Sequence, residues 1–160
     1  MGNGTLITEQ AGTFREALPD GGVLLALDLG TKTIGTALCD AGWRFGTAGK
    51  TLPRGKFSRD LAELQKLVEA RAVKGIVLGL PRNMDGSEGP RAQATRAYAR
   101  NLAPLGLPLL LWDERWSTAS AERDLIAQDT SRTKRAERID SHAAAVILQA
   151  AIDALAGSAF

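Results

Sequence analysis

Four acidic residues stand where this chain could do chemistry. Asp28 ends an apolar run just before Gly30, Asp113 and Glu114 follow a second apolar run, and Asp140 opens the last stretch of helical periodicity. Carboxylates brought together repel one another unless cations neutralise them, and divalent ions do so. Mg²⁺ keeps several waters and takes one or two carboxylates plus substrate phosphates. Two such ions roughly 3.5–4 Å apart can activate a water and stabilise the leaving oxygen of a phosphodiester. Each acid also has an ordinary reading. Asp28 could bond its own backbone in a turn, Asp113 or Glu114 could be a loop acid or pair with Arg115, and Asp140 could cap its helix.

The elements that must position these acids follow from periodicity. Val23 to Asp28, Ile34 to Cys39 and Arg44 to Thr51 read as three strands in hairpin succession. Leu61, Leu64, Leu67 and Val68 mark one face of a helix over Ser58 to Ala72. Gly75 to Leu80 is a buried strand closed by Pro81, and Pro90 suits the first turn of a helix running to Leu102. Pro108 to Trp112 gives a fifth strand, Ser117 caps a helix to about Gln128, and Ile139 to Ala150 forms the last helix. This order implies a mixed sheet with helices on its faces. In such a sheet, functional groups collect beyond the carboxyl ends of the parallel strands.

The chain has 160 residues, 44% hydrophobic and 24% charged, which suits a single globular domain. Residues 23–160 are expected to form it, with residues 1–22 a flexible extension. The formal net charge is only +2, but Arg132, Lys134, Arg135 and Arg138 concentrate positive charge just before Asp140. Such a run reads either as a solvated loop or as a loop offering its charge to a phosphate backbone at the rim of the acids. The single Cys39 has no partner for a disulfide or a zinc site and fits a reducing cytoplasm. No stretch has the length of a membrane span or the apolar core of an export signal.

Four segments in order resemble the YqgF family, also called RuvX, known as Holliday junction resolvases or pre-16S rRNA nucleases. They are Asp28-Leu29-Gly30-Thr31-Lys32-Thr33-Ile34-Gly35, Gly79-Leu80-Pro81-Arg82-Asn83-Met84-Asp85-Gly86, Asp113-Glu114-Arg115-Trp116-Ser117-Thr118 and Ile139-Asp140-Ser141-His142-Ala143-Ala144. The resemblance covers residues 23 to about 156. It implies a ribonuclease H-like α/β fold, a five-stranded mixed sheet with helices on both faces, and a metal-dependent nuclease. It carries the catalytic, metal-binding acids onto Asp28, Glu114 and Asp140, with Asp28 bridging a two-ion Mg²⁺ or Mn²⁺ site. The implied substrate is nucleic acid: the 5′ end of pre-16S rRNA in ribosome biogenesis or, alternatively, branched or single-stranded DNA. Lys32, Arg82 and Arg115 are then candidates to hold phosphate oxygens, and Arg132, Lys134 and Arg135 to track the backbone. Related RuvC resolvases carry a glutamate in the fourth strand, where this chain has Leu78-Gly79-Leu80, and Glu114 would supply that charge from the next strand. They also carry a second acid near the last, for which Glu137, one helical turn before Asp140, is the candidate.

Other residues carry alternatives. His142, the single histidine, reads as an ordinary helix residue against a proton shuttle. Trp112 reads as core, whereas Trp116 beside the acids is the candidate to stack a base. Asp28-Leu29-Gly30-Thr31 also resembles the phosphate loop of actin-type ATPases, but the chain is too short for their two lobes and holds no second such motif. A binding module without catalysis is the third reading. Monomer and homodimer are both open.

Overall fold

The computed structural model describes residues 5–19, 21–116 and 132–157, the first nine residues of the last helix by their backbone alone. The helix expected over Ser117 to Gln128 lies outside the described residues. The strands are β1 (Ile7–Thr8), β2 (Leu24–Leu29), β3 (Thr33–Cys39), β4 (Gly46–Ala48), β5 (Leu52–Pro53), β6 (Gly75–Leu80) and β7 (Leu109–Asp113). The helices are α1 (Ala11–Glu16), α2 (Phe57–Arg71), α3 (Pro90–Asn101) and α4 (Arg132–Gly157).

The sheet runs in the order β1-β7-β6-β2-β3-β4, with β5 also paired to β3. β2, β6 and β7 are parallel neighbours, while β3 returns antiparallel to β2. Every residue of β2, β6 and β7 is buried. This is the physical meaning of their continuous apolar runs, because a central strand covered on both faces has no polar side. Alternation then splits the core. Leu24, Ala26, Val77, Leu110 and Trp112 point towards α4, where Ala143, Ala144, Ile147 and Leu148 pack on them. Leu25, Leu27, Ile76, Leu78 and Leu111 point the other way, beneath Leu64 and Val68 of α2 and Tyr98, Ala99 and Leu102 of α3. The mixed α/β sheet with helices on both faces stands as expected, but it has seven strands among the described residues and not five, because β1 and the short β5 join it.

Three local readings are corrected. The expected third strand, Arg44 to Thr51, is shortened to β4, and β5 follows beyond Thr51, because the chain bends around Thr36. The Gly49 amide donates to the Thr36 carbonyl at 2.7 Å, and the Thr36 hydroxyl donates to the Lys50 carbonyl at 2.5 Å. Side-chain hydrogen bonding of this kind competes with the ladder. Residues 1–22 are not wholly a flexible extension: β1 pairs parallel with β7 at Ile7↔Leu109 and Thr8↔Leu110, and Phe14 of α1 is fully buried. The reason is that β7 would otherwise be an open, apolar edge. The basic run expected in a loop lies within α4, whose backbone is helical from Arg132.

Candidate active site

Asp28 belongs to β2 itself, paired with Gly35 of β3 and 1% exposed. The turn lies beyond it, closed by the Gly30 amide donating to the Thr33 carbonyl at 2.8 Å. A turn role for Asp28 is therefore set aside. In β2, Asp28 alternates with Leu24 and Ala26, so it shares their face beneath α4. The parallel register pairs Leu27 with Leu78, which brings Asp28 level with Gly79 on the neighbouring strand.

Glu114 opens a short 3₁₀ turn, Glu114–Trp116, immediately after β7 and is 5% exposed. Its carboxylate reaches back across β6. A methyl group built on Gly79 would lie 3.2 Å from Glu114 Oε2 and 2.8 Å from Ile147 Cδ1. The absent side chain at Gly79 is thus the space in which the Glu114 carboxylate sits, beside the Asp28 position one strand away. Adjacent strands are roughly 4.8 Å apart. The Glu114 carboxylate, carried by the turn after β7, thus stands over Gly79 of β6.

Asp113, one residue earlier, has a different environment, because strand alternation turns it to the opposite side from Trp112. It accepts from Arg82 Nη1 at 3.0 Å, from Arg115 Nη2 at 2.7 Å and from the Arg115 amide at 2.9 Å. Burial opposes its charge, but Arg115 and Arg82 outweigh burial and hold its carboxyl below the ordinary value. Asp113 is the Arg115 partner that one reading of the sequence anticipated, whereas the Glu114 carboxylate lies over Gly79.

Arg82 does not have the role expected of it. Its Nε donates to Glu88 at 3.1 Å, its Nη1 to Asp113, and its Nη2 to Glu9. Three carboxylates engage three of the five N–H groups of this guanidinium, so in this structure it braces the site. Arg96 completes the cluster, donating to Glu88 at 2.6 Å and to Glu9 at 3.0 Å. Arg115 remains at the rim, 28% exposed at its side chain. Asn83 and Asp85 close the loop between β6 and α3. The Asn83 amide donates to the Ser87 carbonyl at 2.9 Å, and Asp85 Oδ1 accepts from the Ser87 hydroxyl at 2.6 Å. Gly86 within that loop has φ +90, which favours glycine.

Lys32 is exposed at the tip of the β2–β3 hairpin. Trp116 is 56% exposed and stands edge-on to Trp112 at 5.4 Å. Trp112 is core, 7% exposed, and Trp43 is core too, 9% exposed, its indole donating to the Gly22 carbonyl at 2.8 Å. His142 is partly buried in α4. The side chains of Arg132, Lys134, Arg135, Glu137 and Asp140 lie outside the described residues. Position 140 is two helical turns before Ile147 and therefore near the same face of α4. Ser141, its neighbour, is 8% exposed and hydrogen-bonded to Thr51. Among the described residues no three acidic, histidine or cysteine side chains are gathered as a metal cage. Asp28 and Glu114 are the described members of the expected set. The Glu9, Glu88 and Arg96 cluster was missed in the sequence, where nothing in the spacing links three residues so far apart.

A mixed sheet of this order, with buried acids at the carboxyl end of its first long strand, defines the ribonuclease H-like class. A RuvC from Thermus thermophilus bound to a Holliday junction substrate has the same fold, with a TM-score of 0.53 and 11% identity over 85% of this chain and 96% of that one. A second Thermus thermophilus RuvC structure matches with a TM-score of 0.52 and 14% identity, covering 85% of this chain and 97% of that one. The family model "RuvX: Holliday junction resolvase" matches residues 22–154, and the chain belongs to that family of nucleases. A Novosphingobium aromaticivorans protein named "Putative pre-16S rRNA nuclease" is 66% identical over 97% of this chain and its own full length. A Zymomonas mobilis relative of the same name is 53% identical over 92% of this chain and 91% of its own length. Among the described residues no helix is long and apolar enough to cross a membrane.

Proposed function

We propose that this nuclease hydrolyses phosphodiester bonds with Mg²⁺ or Mn²⁺ held by Asp28, Glu114 and Asp140, and that it matures the 5′ end of pre-16S rRNA. The observation that carries the chemistry is the Glu114 carboxylate seated over Gly79, level with the buried Asp28. An all-oxygen, carboxylate donor set of this kind suits a hard divalent cation and not zinc. When bound, the ions would supply an activated water and charge stabilisation for the leaving oxygen.

The protein's own residues do the positioning. Asp28 stands on a central strand paired on both sides and so offers a rigid bridging ligand. Glu114 is held by a turn whose preceding residue, Asp113, is fixed by Arg82 and Arg115. Asp140, from α4, closes the set, with Glu137 as a further ligand. Lys32, Arg115 and Trp116 stand at the rim for phosphates and bases. Arg132, Lys134 and Arg135 would carry the backbone along the start of α4.

The rRNA substrate is supported by the names of relatives that share more than half their residues with this chain. Branched DNA is the second reading, favoured by the family's description as a resolvase. Asp28→Asn is expected to abolish Mg²⁺- or Mn²⁺-dependent cleavage and the thermal stabilisation that either ion gives, while binding of nucleic acid persists. Full activity in that variant would overturn the proposal. Cleavage of rRNA precursor, junction, duplex and single-stranded substrates in parallel decides between the two substrates.

A further inference from the structure

On the side of the sheet away from α4, a groove runs between the start of α2 and the length of α3. Its upper part is lined by Leu29, Gly30, Thr31, Arg54 and Arg91. Below, a hollow of about 300 Å³ is lined by Arg54, Phe57, Asp60, Ala94, Tyr98 and Asn101, among others. Arg54 and Ala94 belong to both parts, so the two are continuous. The upper end begins at Leu29, the residue next to Asp28. From Ala94 to Asn101 the groove follows α3 for roughly 10 Å.

Its chemistry is mixed. Arg54 donates through Nη1 to the Gly30 carbonyl at 2.7 Å and lies over the Tyr98 ring at 5.3 Å, while Arg91 Nη2 donates to the Leu29 carbonyl at 3.2 Å. These two cations sit at the end nearest the acids. Deeper in, Asp60 is 2% exposed and Tyr98 6% exposed. The Tyr98 hydroxyl is buried with no hydrogen-bond partner among the described residues. A buried polar group without a partner costs free energy, which a ligand that pairs with it would recover. Phe57 meets Tyr98 edge to face at 5.1 Å and adds an aromatic wall.

A carboxylate in the depth of the hollow excludes an anion there, and the flat, part-apolar walls suit a planar heterocycle carrying both donors and acceptors. Arginines at the mouth suit the phosphates on either side of it. We propose that this groove is a subsite for one unstacked nucleobase of the substrate strand, a few nucleotides from the cleaved bond, with Tyr98 and Asp60 meeting its edge and Arg54 and Arg91 its phosphates. Unpaired bases are read in this way, by an aromatic wall and hydrogen bonds to the base edge. The assignment rests on the nuclease reading for the position of the strand, but its binding chemistry is independent of the metal.

The test is fluorescence anisotropy with a short, labelled, mixed-sequence single strand, in EDTA so that nothing is cut. Tyr98→Phe removes only the hydroxyl, and its melting temperature is expected at or above that of the parent. Ala94→Phe fills the groove from an exposed position on α3 and keeps the test valid if the first variant is unstable. Each should weaken binding by about three- to tenfold, as the loss of one hydrogen-bonded contact implies. A fully abasic strand of equal length should bind the parent and both variants alike. Parent-like affinity in both variants, or an abasic strand held by the parent as tightly as the mixed sequence, overturns the subsite. Cleavage by the parent with Mg²⁺ or Mn²⁺, measured alongside, separates the two readings. Cutting with unaltered variant binding removes the subsite alone, and weakened variant binding without any cutting removes the nuclease mechanism alone.

Discussion

Gly79 stands level with Asp28, and the space above its Cα is filled from the next strand by Glu114. A methyl group at that point would press on Ile147 Cδ1 at 2.8 Å and on Glu114 Oε2 at 3.2 Å. Gly79→Ala should therefore cost about 1–3 kcal/mol by overpacking. By shifting the Glu114 carboxylate it should also lower kcat, on the order of a hundredfold for a displacement near 1 Å. Urea denaturation and a cleavage assay on the same preparation check both, and a parent-like kcat would mean that Glu114 is not held by this space. Asp113 and Glu114 are neighbours in sequence, yet one is bound to two arginines and the other lies over Gly79 beside Ile147. Strand alternation makes that distinction, and it is legible once β7 is known to end at Asp113.

The elements around the acids are held from outside the matched family region. β1 covers the edge of β7, and α1 inserts Phe14 beneath α4, while Arg15 Nη1 donates to the Leu155 carbonyl at 3.1 Å. Phe14→Ala should destabilise the protein by about 3–5 kcal/mol, as fully buried aromatic truncations do. A loss well under 1 kcal/mol in denaturant titration would show that the segment is an appendage. Glu9, between β1 and α1, ties this segment to Arg82 and Arg96. In the same cluster Arg96, and after it Arg82, hold the Glu88 carboxyl at about 2, against an ordinary 4.5. The unfolded chain takes up that proton more readily, so the contribution is complete above pH 4.5 and is lost as the pH falls from 4.5 towards 2. Glu9 and Asp113 are lowered in the same sense. Melting temperatures across this window should fall more steeply for the parent than for Glu88→Gln.

At the scale of the whole molecule, positive charge is concentrated locally along the chain although the net value is only +2. The acids lie under α4, and the basic run forms the beginning of that same helix. Neutralising Arg132, Lys134 or Arg135 should weaken binding evenly across sequences and reduce the slope of log affinity against log salt by about one per residue. Binding isotherms over a range of salt concentrations measure this, and an unchanged slope would assign those cations to solvent. Arg82, by contrast, should contribute nothing to the slope, because three carboxylates already neutralise it.

The sequence by itself determined the central strands β2, β6 and β7, whose apolar runs answer to burial on both faces. It determined α2 and α3 through their periodicity and through Pro90, and it marked Asp28 and Glu114 by their places at strand ends. What it left open depended on residues distant in the chain meeting in space. The partnership of Glu114 with Gly79, the capture of Asp113 by Arg82, and the docking of Ile7 and Phe14 each join segments dozens of residues apart. Local periodicity carries no information about such meetings. Only the packing of α4 and β1 against the sheet decides which of these distant residues meet.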